Sequence, residues 1–292
     1  MRMLKAAPAC VMLIVVLELS ACSPLSALNA VTSSSSYTKS SGIAYGDDQR
    51  QMLDVYTPRD TAGLMPVVVF FYGGSWNSGK RQDYAFVGSA LSSRGIVAVV
   101  ADYRLYPQVR YPAFVEDSAA AVAWTLKNIA RFGGDPQHVF LMGHSSGAYN
   151  AAMVALDRRW LANFGMSPAR ISGWIGLAGP YDFLPVQNKD VRPVFFYPDS
   201  PPDSQPIHHV TQDAPPALLL AASEDTVVNP KRNTGGMADK LRANNVAVKE
   251  VYYPKPSHAT LIATLVWPFQ SQANTLDEID RFVHSTGGTK NH

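Results

Sequence analysis

A three-layer α/β domain, with a mostly parallel central sheet and helices on both faces, is the fold that this sequence predicts. Candidate strands and helices alternate along the chain from about residue 43 onward. Several candidate strands are continuous apolar runs, such as VVVFF at residues 67–71, which is typical of strands buried on both faces of a parallel sheet. The chain has 292 residues, of which 47% are hydrophobic, so it can bury a large core. In such a domain the active site is expected at the carboxyl ends of the strands.

The order of elements follows from these runs and from the breaks between them. Strands are predicted at residues 51–56, 67–72, 96–102, 139–144, 171–178, 217–222 and 246–253. Helices are predicted at about residues 82–94, 112–132, after 145, 231–244 and 274–284. The second helix should end at Gly133 and Gly134, a common stop signal. A proline-rich stretch, residues 185–216, interrupts the alternation and would be either a lid over the site or a long surface loop.

The amino terminus has the pattern of a targeting segment. Arg2 and Lys5 precede an apolar stretch at residues 6–17, which is shorter than the roughly 20 residues that a membrane-spanning helix needs. After Glu18, which departs from the usual pattern, residues 19–22 read Leu-Ser-Ala-Cys and resemble the lipobox of bacterial lipoproteins, whose cysteine carries the lipid. We therefore expect residues 1–21 to be a lipoprotein signal peptide and Cys22 to be the lipidated first residue of an exported, membrane-anchored protein. The alternatives are an ordinary secretory signal or a spare cysteine.

Residues 22–42 are rich in serine and contain little that could form a core, so we expect a flexible tether there. The globular domain would then span residues 43–292. Net charge is +2 and no basic run is longer than a pair, which gives nucleic-acid binding no electrostatic support. Both cysteines, Cys10 and Cys22, lie in the first 22 residues, so the rest of the chain has no cysteine cluster for a metal.

Residues 143–147 read Gly-His-Ser-Ser-Gly and directly follow an apolar strand run. This arrangement predicts a nucleophile elbow, in which Ser145 occupies a strained turn that raises its hydroxyl above the sheet. Glycines at both ends of the pattern let the strand and the following helix approach closely. The alternative is a chance match in a loop, but the small residues that follow Ser145 favour a helix there. We expect His144 to point away from the site and to have a structural role.

A serine nucleophile needs a base and an orienting acid, which follow it in a doubly wound hydrolase in the order acid, then histidine. Asp225 comes just after the strand at residues 217–222 and is the predicted acid, with Glu224 as its competitor. His258 follows the strand at residues 246–253 and is the predicted base. The two later histidines lie in the terminal helix and at the chain end, where they are less suited to this role.

An oxyanion hole needs backbone N–H groups that face the developing negative charge. Residues 71–76, Phe-Tyr-Gly-Gly-Ser-Trp, close an apolar strand with two glycines, so the backbone can fold against a substrate carbonyl. We expect the amides of Gly74 and Ser75, with Gly73 as a further candidate, to act together with that of Ser146. The alternative is a plain Gly-Gly turn.

Five motifs together resemble the α/β-hydrolase esterases of the hormone-sensitive-lipase-like and feruloyl/acetyl-xylan-esterase-like group, which is also similar to kynurenine formamidase. They are YGGSW at 72–76, DYRL at 102–105, GGDP at 133–136, GHSSG at 143–147 and GPYD at 179–182. The resemblance covers residues 42–282 or so. The chain departs from it at Tyr72, where these relatives usually carry histidine, and we expect Tyr72 to support the oxyanion loop by packing or by one hydrogen bond.

The resemblance implies a cofactor-free carboxylic ester hydrolase of the α/β-hydrolase fold that acts on a small-molecule ester. Ser145 would be the nucleophile, His258 the base and Asp225 the acid, with an acyl-enzyme intermediate. Two alternatives stay open. One is amide hydrolysis of the arylformamidase type, which the export signal disfavours, and the other is a non-catalytic surface lipoprotein built on a hydrolase fold.

Overall fold

The computed structural model describes residues 24–30, 32, 35–59 and 62–286 of the chain. These residues form one eight-stranded sheet with helices on both faces, which confirms the predicted α/β-hydrolase fold class. The strands are β1 Tyr37–Ala44, β2 Met52–Pro58, β3 Met65–Phe71, β4 Val97–Ala101, β5 Gly134–His144, β6 Gly173–Leu177, β7 Ala217–Ala222 and β8 Val248–Tyr253. The helices are α1 Pro24–Ala30, α2 Ala85–Ser92, α3 Ala113–Asn128, α4 Ser146–Leu156, α5 Arg158–Ala162, α6 Gly236–Ala243 and α7 Thr275–Thr286.

The sheet places the ends of its parallel strands along one edge. Its strand order is β1-β2-β4-β3-β5-β6-β7-β8. Only the pairs that include β2 are antiparallel, so β3 to β8 all run in the same direction. Helices α2 and α7 pack together on one face, and α3, α4 and α5 pack together on the other. The loops that leave the carboxyl ends of β3, β5, β7 and β8 therefore meet above the same edge.

The central strands are buried on both faces, as their apolar runs predict. Every side chain of residues 67–71 is fully buried, and so is nearly all of β7. Helix α3 continues into a short 3-10 turn, Ile129–Phe132, which ends at Gly133 with a φ of 78°. This left-handed conformation favours glycine, so the predicted stop signal is confirmed.

The sheet begins earlier than expected, inside the segment interpreted as a tether at residues 22–42. Strand β1 starts at Tyr37 and pairs with β2 along its length, and helix α1 lies before it. The prediction that the domain starts near residue 43 is therefore wrong. The sequence gives little sign of β1 because most of its side chains are polar and exposed, although Tyr37 and Ile43 pack against the core and its backbone bonds β2.

The proline-rich stretch at 185–216 is neither a strand nor a long helix. It contains three short 3-10 helices, at Arg192–Phe195, Pro202–Ser204 and Pro206–His209. Phe195 is buried, and the carbonyl of Ser204 accepts a hydrogen bond of 2.6 Å from the Tyr149 hydroxyl on α4. Part of the stretch is thus packed onto the domain and part is exposed, and both alternatives, a lid and a long surface loop, stay predictions.

The signal peptide predicted at residues 1–21 and the lipidation site predicted at Cys22 lie outside the described residues. Within the described part of the chain, no helix combines the length and the apolar character that crossing a membrane requires. Both predictions about the amino terminus therefore stay predictions.

Candidate active site

Ser145 occupies a sharp turn between β5 and α4. Its backbone has φ 53° and ψ −123°, a region that residues other than glycine rarely adopt. Its N–H donates a 2.8 Å hydrogen bond to the carbonyl of Leu177 on the neighbouring strand β6. A Cβ atom at Gly143 would lie 2.1 Å from the Gly147 carbonyl oxygen, and one at Gly147 would lie 2.0 Å from the Phe71 oxygen. The two glycines are therefore required by backbone contact, as the elbow pattern predicts.

The structure brings Ser145, His258 and Asp225 together although they are far apart in sequence. His258 Nε2 lies 2.9 Å from the Ser145 hydroxyl oxygen, and His258 Nδ1 lies 2.7 Å from Asp225 Oδ2. An imidazole that donates its Nδ1 proton to Asp225 leaves Nε2 free to accept the serine proton. Glu224, the competing acid, is exposed to solvent instead. The geometry therefore favours Asp225 as the predicted acid.

Asp225 is fixed and ionised by its surroundings. Its Oδ1 accepts the N–H groups of Val227 and Val228 at 2.8 and 2.9 Å. Burial opposes the charge of this carboxylate, but the hydrogen bonds from His258 and from these amides outweigh burial, and the pKa of Asp225 falls below its usual value. The carboxylate therefore stays charged at neutral pH and can stabilise a protonated His258.

His144 does not point away from the site, contrary to expectation. Its side chain is buried, and its Nε2 lies 2.9 Å from the main-chain carbonyl oxygen of His258. Burial, together with the nearby His258 ring, lowers the pKa of His144 to about 3, so this imidazole is neutral and its Nε2–H can donate to the carbonyl. His144 thus supports the loop that carries the predicted base. Its position inside the elbow pattern gives no hint of this partner, which lies far along the chain.

The loop after β3, residues 72–79, lies against the nucleophile, and we call it the oxyanion loop. A Cβ atom at Gly73 would lie 3.0 Å from Ser145 Cβ, so the loop backbone and Ser145 are in contact. The next three residues, Gly74, Ser75 and Trp76, have φ values of 134°, 52° and 58°. Among the described residues, no acceptor receives the N–H of Gly74 or of Ser75. These donors are available for a substrate oxygen, and their oxyanion role, like that of Ser146, stays a prediction.

Tyr72 supports this loop through hydrogen bonds and ring stacking in the protein interior. Its hydroxyl donates to Asp102 Oδ1 at 2.8 Å and accepts from Arg50 Nη2 at 2.8 Å. Its ring is stacked between Tyr84 and Tyr103, with centroids 5.3 and 4.9 Å away. Burial raises the pKa of Tyr72, so the hydroxyl remains a donor. The sequence leads us to expect packing or one hydrogen bond, whereas the structure has packing and two hydrogen bonds.

Asp102 connects Tyr72 to further charged groups. It accepts the backbone N–H of Arg81 at 2.7 Å, and the Arg81 guanidinium bridges Asp102 and Asp54. Arg50 also donates to the carbonyl of Gly79, at the far end of the oxyanion loop, at 2.8 Å. The sequence marks Asp102 through its motif at 102–105, but it does not reveal that Arg50 reaches this loop.

Two cavities meet at Ser145. The smaller has a volume of about 200 Å³ and lies between Trp76, the start of the proline-rich stretch and residues 227–233. The larger has a volume of about 990 Å³ and lies between α1, the oxyanion loop and residues 258–269. No cluster of three or more His, Cys, Asp or Glu side chains that could hold a metal ion occurs within the residues that the structure describes.

Comparison with known proteins points to one family and one kind of activity. The model of the BD-FAE family matches residues 53–241, well over half of the chain. An isoprenylcysteine alpha-carbonyl methylesterase of Arabidopsis thaliana is 29% identical over 83% of this chain and 61% of its own length. The esterase LipC of Mycobacterium tuberculosis is 32% identical over 69% of this chain and 54% of its own length. The chain thus spans less than two thirds of either relative.

Solved structures of esterases have the same fold. Esterase B from Lactobacillus rhamnosis superposes with a TM-score of 0.75 at 22% identity, over 90% of this chain and 91% of that chain. An esterase from Thermogutta terrifontis superposes with a TM-score of 0.71 at 21% identity, over 88% of this chain and 96% of that chain. At these identities the likeness supports the fold alone.

Proposed function

The chain belongs to the BD-FAE family, and from that premise we propose that it is a serine carboxylic ester hydrolase that works through an acyl-enzyme intermediate. Relatives named as esterases support the hydrolysis of carboxylic esters. One observation supports the serine mechanism more than any other. A single imidazole, His258, lies within hydrogen-bond distance of both the Ser145 hydroxyl and the Asp225 carboxylate.

In the first half of the proposed reaction, Ser145 Oγ attacks the ester carbonyl carbon while His258 Nε2 takes the serine proton. The carbonyl oxygen becomes negatively charged and accepts hydrogen bonds from the backbone of the loop after β3 and of Ser146. Asp225 stabilises the imidazolium that forms. The carbon–oxygen bond to the alcohol then breaks, and the proton on His258 Nε2 passes to the departing alcohol oxygen.

In the second half, water takes the place of the alcohol. His258 removes a proton from the water, which attacks the acyl carbon, and Ser145 leaves with that proton as the acid is released. A non-catalytic binding protein would have no use for a serine in a strained turn beside a charged carboxylate–imidazole pair. Amide hydrolysis of the arylformamidase type would use the same groups and is tested below.

We also propose that the enzyme is an exported lipoprotein, anchored to a membrane through Cys22. This part rests on the sequence alone, namely a basic start, a short apolar stretch and the lipobox-like residues 19–22 that end in the cysteine. Replacement of Cys22 by serine should abolish labelling by an alkynyl fatty acid and leave intrinsic activity unchanged. Equal labelling of both forms would overturn the anchor.

The proposed reaction is tested by Ser145→Ala with Ser93→Ala as the matched control. Ser93 is an exposed serine at the end of α2. We expect Ser145→Ala to lose hydrolysis of p-nitrophenyl acetate and labelling by a fluorophosphonate probe, while Ser93→Ala keeps both. Faster turnover of an N-formyl anilide than of any ester would favour the amide alternative. Retained labelling in Ser145→Ala would refute this nucleophile.

A further inference from the structure

The two cavities that meet at Ser145 differ about fivefold in volume, at about 200 and 990 Å³. Ser75, Ser145 and Val227 line both, so an ester bound to Ser145 would extend one arm into each. An ester has two chemically different arms, the acyl group and the alcohol. If the mechanism determines which arm enters which cavity, the site discriminates between the acyl group and the alcohol by size.

The position of His258 fixes the direction. In the proposed mechanism the His258 Nε2 proton passes to the oxygen of the departing alcohol, so this oxygen must lie on the His258 side of Ser145. His258 and the two residues after it line the larger cavity, whereas the smaller cavity has Ser146, Trp76 and Asn233 around it. The alcohol arm is thus directed into the larger cavity, and the acyl arm into the smaller.

From this geometry we propose that the enzyme prefers esters of a short, uncharged acyl group with a long or bulky apolar alcohol. The inference rests on the proposed serine esterase function. A cavity of roughly 150 Å³ holds one benzene ring, so the smaller cavity can bury an acyl arm of about that size and leaves the rest of a longer arm in solvent. The cation on its wall, Arg232, is already paired with Asp182 at 3.0 Å and leaves no free charge for an acidic acyl group.

The larger cavity suits an apolar alcohol because of its lining. Its walls are mainly aliphatic and aromatic, with contributions from Leu25, Leu28, Tyr84, Ile262, Trp267 and Phe269. Trp267 is 70% exposed and Val227 is 63% exposed, so large apolar side chains face solvent in the cavity lining. Each methylene that moves from water to such a surface contributes roughly fourfold to transition-state binding.

Helix α1 makes one wall of this cavity and is held in place. The Asn29 side chain donates to the carbonyl of Gln82 at 2.9 Å and accepts the N–H of Phe86 at 3.0 Å. Phe86 lies in the first turn of α2, which has no side-chain cap from its own preceding residue, so Asn29 satisfies one of its free donors. Leu28 is buried against the core. The amino-terminal segment therefore contributes substrate contacts rather than serving only as a tether.

Two isomeric esters test the assignment with the full chain. Hexyl acetate and methyl heptanoate have the same atoms but opposite arrangements of the long arm. We expect kcat/KM, corrected for alkaline hydrolysis rates, to be at least about tenfold higher for hexyl acetate. Equal or higher values for methyl heptanoate would overturn the proposal. So would turnover of p-nitrophenyl acetate without turnover of either isomer, whereas loss of p-nitrophenyl acetate turnover as well would mean that the proposed function itself fails.

A pair of variants tests the wall formed by α1. Ala27 is exposed and lines the larger cavity, so Ala27→Trp should occupy part of this cavity beside α1 and lower the ratio of hexyl acetate to methyl acetate turnover about fivefold or more. Ala243→Trp is the matched control, because Ala243 is an exposed alanine at the end of α6 that lines neither cavity. An unchanged ratio in Ala27→Trp would show that α1 is not part of the alcohol-binding site.

Discussion

The two sides of Ser145 are held in different ways. On one side, the loop of His258 is fixed by local contacts: the His258 ring bonds Asp225, the neutral His144 bonds the His258 carbonyl, and residues 257 and 260 bond each other within the loop. On the other side, the oxyanion loop lies on a buried network around Tyr72, in which charged groups and stacked rings hold one another.

This difference matches what each side has to do. A proton relay must change its protonation state and its hydrogen bonds in every cycle, so local contacts that allow these changes are sufficient for it. Donors to an oxyanion stabilise the transition state only if they are oriented beforehand, so a rigid support serves them. We therefore expect relay variants to lose activity with little change in stability, and variants below the oxyanion loop to lose both.

The largest expected effect is that of His258→Ala. It removes the proposed base, so kcat should fall by about 10⁴ to 10⁶ while the urea midpoint changes little. The double variant with Ser145→Ala should be no worse than either single variant, because the two groups act as a unit. Steady-state kinetics and urea unfolding measure the two quantities. Additive losses in kcat would show that Ser145 and His258 act independently.

Asp225→Asn comes next. It should lower kcat by about 10³ to 10⁴, through loss of the tautomer and of the charge that stabilises the imidazolium. Glu224→Gln is the matched control, since Glu224 is the exposed neighbour and should keep nearly full activity. A larger loss in Glu224→Gln, measured as kcat, would transfer the role of the acid to Glu224.

Tyr72→Phe probes the other side. It removes a hydroxyl that bonds both Asp102 and Arg50, so we expect a loss of about 1–3 kcal/mol in unfolding free energy and roughly tenfold or more in kcat. Tyr181→Phe is the matched control, because the Tyr181 hydroxyl is buried without a hydrogen-bond partner among the described residues. Its removal should be nearly neutral. An effect of Tyr72→Phe confined to KM would place Tyr72 in the substrate pocket instead.

The last prediction concerns His144 and the pH dependence of stability rather than activity. The pKa of His144 is about 3 when folded and roughly 6.5 when unfolded, so the unfolded chain binds more protons between these values. The contribution of His144 therefore lowers stability as pH falls below about 6.5, by up to about 1.4 kcal/mol per pH unit. His144→Gln should weaken this pH dependence in urea unfolding. Identical pH dependence in both proteins would contradict the buried, neutral state.

The sequence reveals the site where chemistry and chain order coincide. Ser145 and Asp225 each come after an apolar strand, His258 comes in the loop after β8, and parallel strands bring such ends together. Because β3 to β8 run in the same direction, these three residues, which are far apart in the sequence, lie close together in space. This is why the fold class and the proximity of these three groups could be predicted without coordinates.

Other parts depend on contacts that no local pattern encodes. Strand β1 is mostly polar and exposed, and helix α1 is held by Asn29, which bonds residues more than fifty positions away. His144 bonds a carbonyl 114 residues later in the chain, and Arg50 bonds Tyr72 across 22 residues. The direction of each of these side chains follows from tertiary packing, which could not be predicted from neighbouring residues in the sequence.

The elbow also limits which substitutions this protein can accept in directed evolution. Backbone atoms occupy the space that a side chain would need at Gly143 and at Gly147, so a randomised library over residues 143–147 should return glycine at both ends. Diversity can enter through His144 and Ser146, on either side of the nucleophile. Since His144 touches the base loop and Ser146 borders the smaller cavity, selection at these two positions would act separately on proton transfer and on acyl choice.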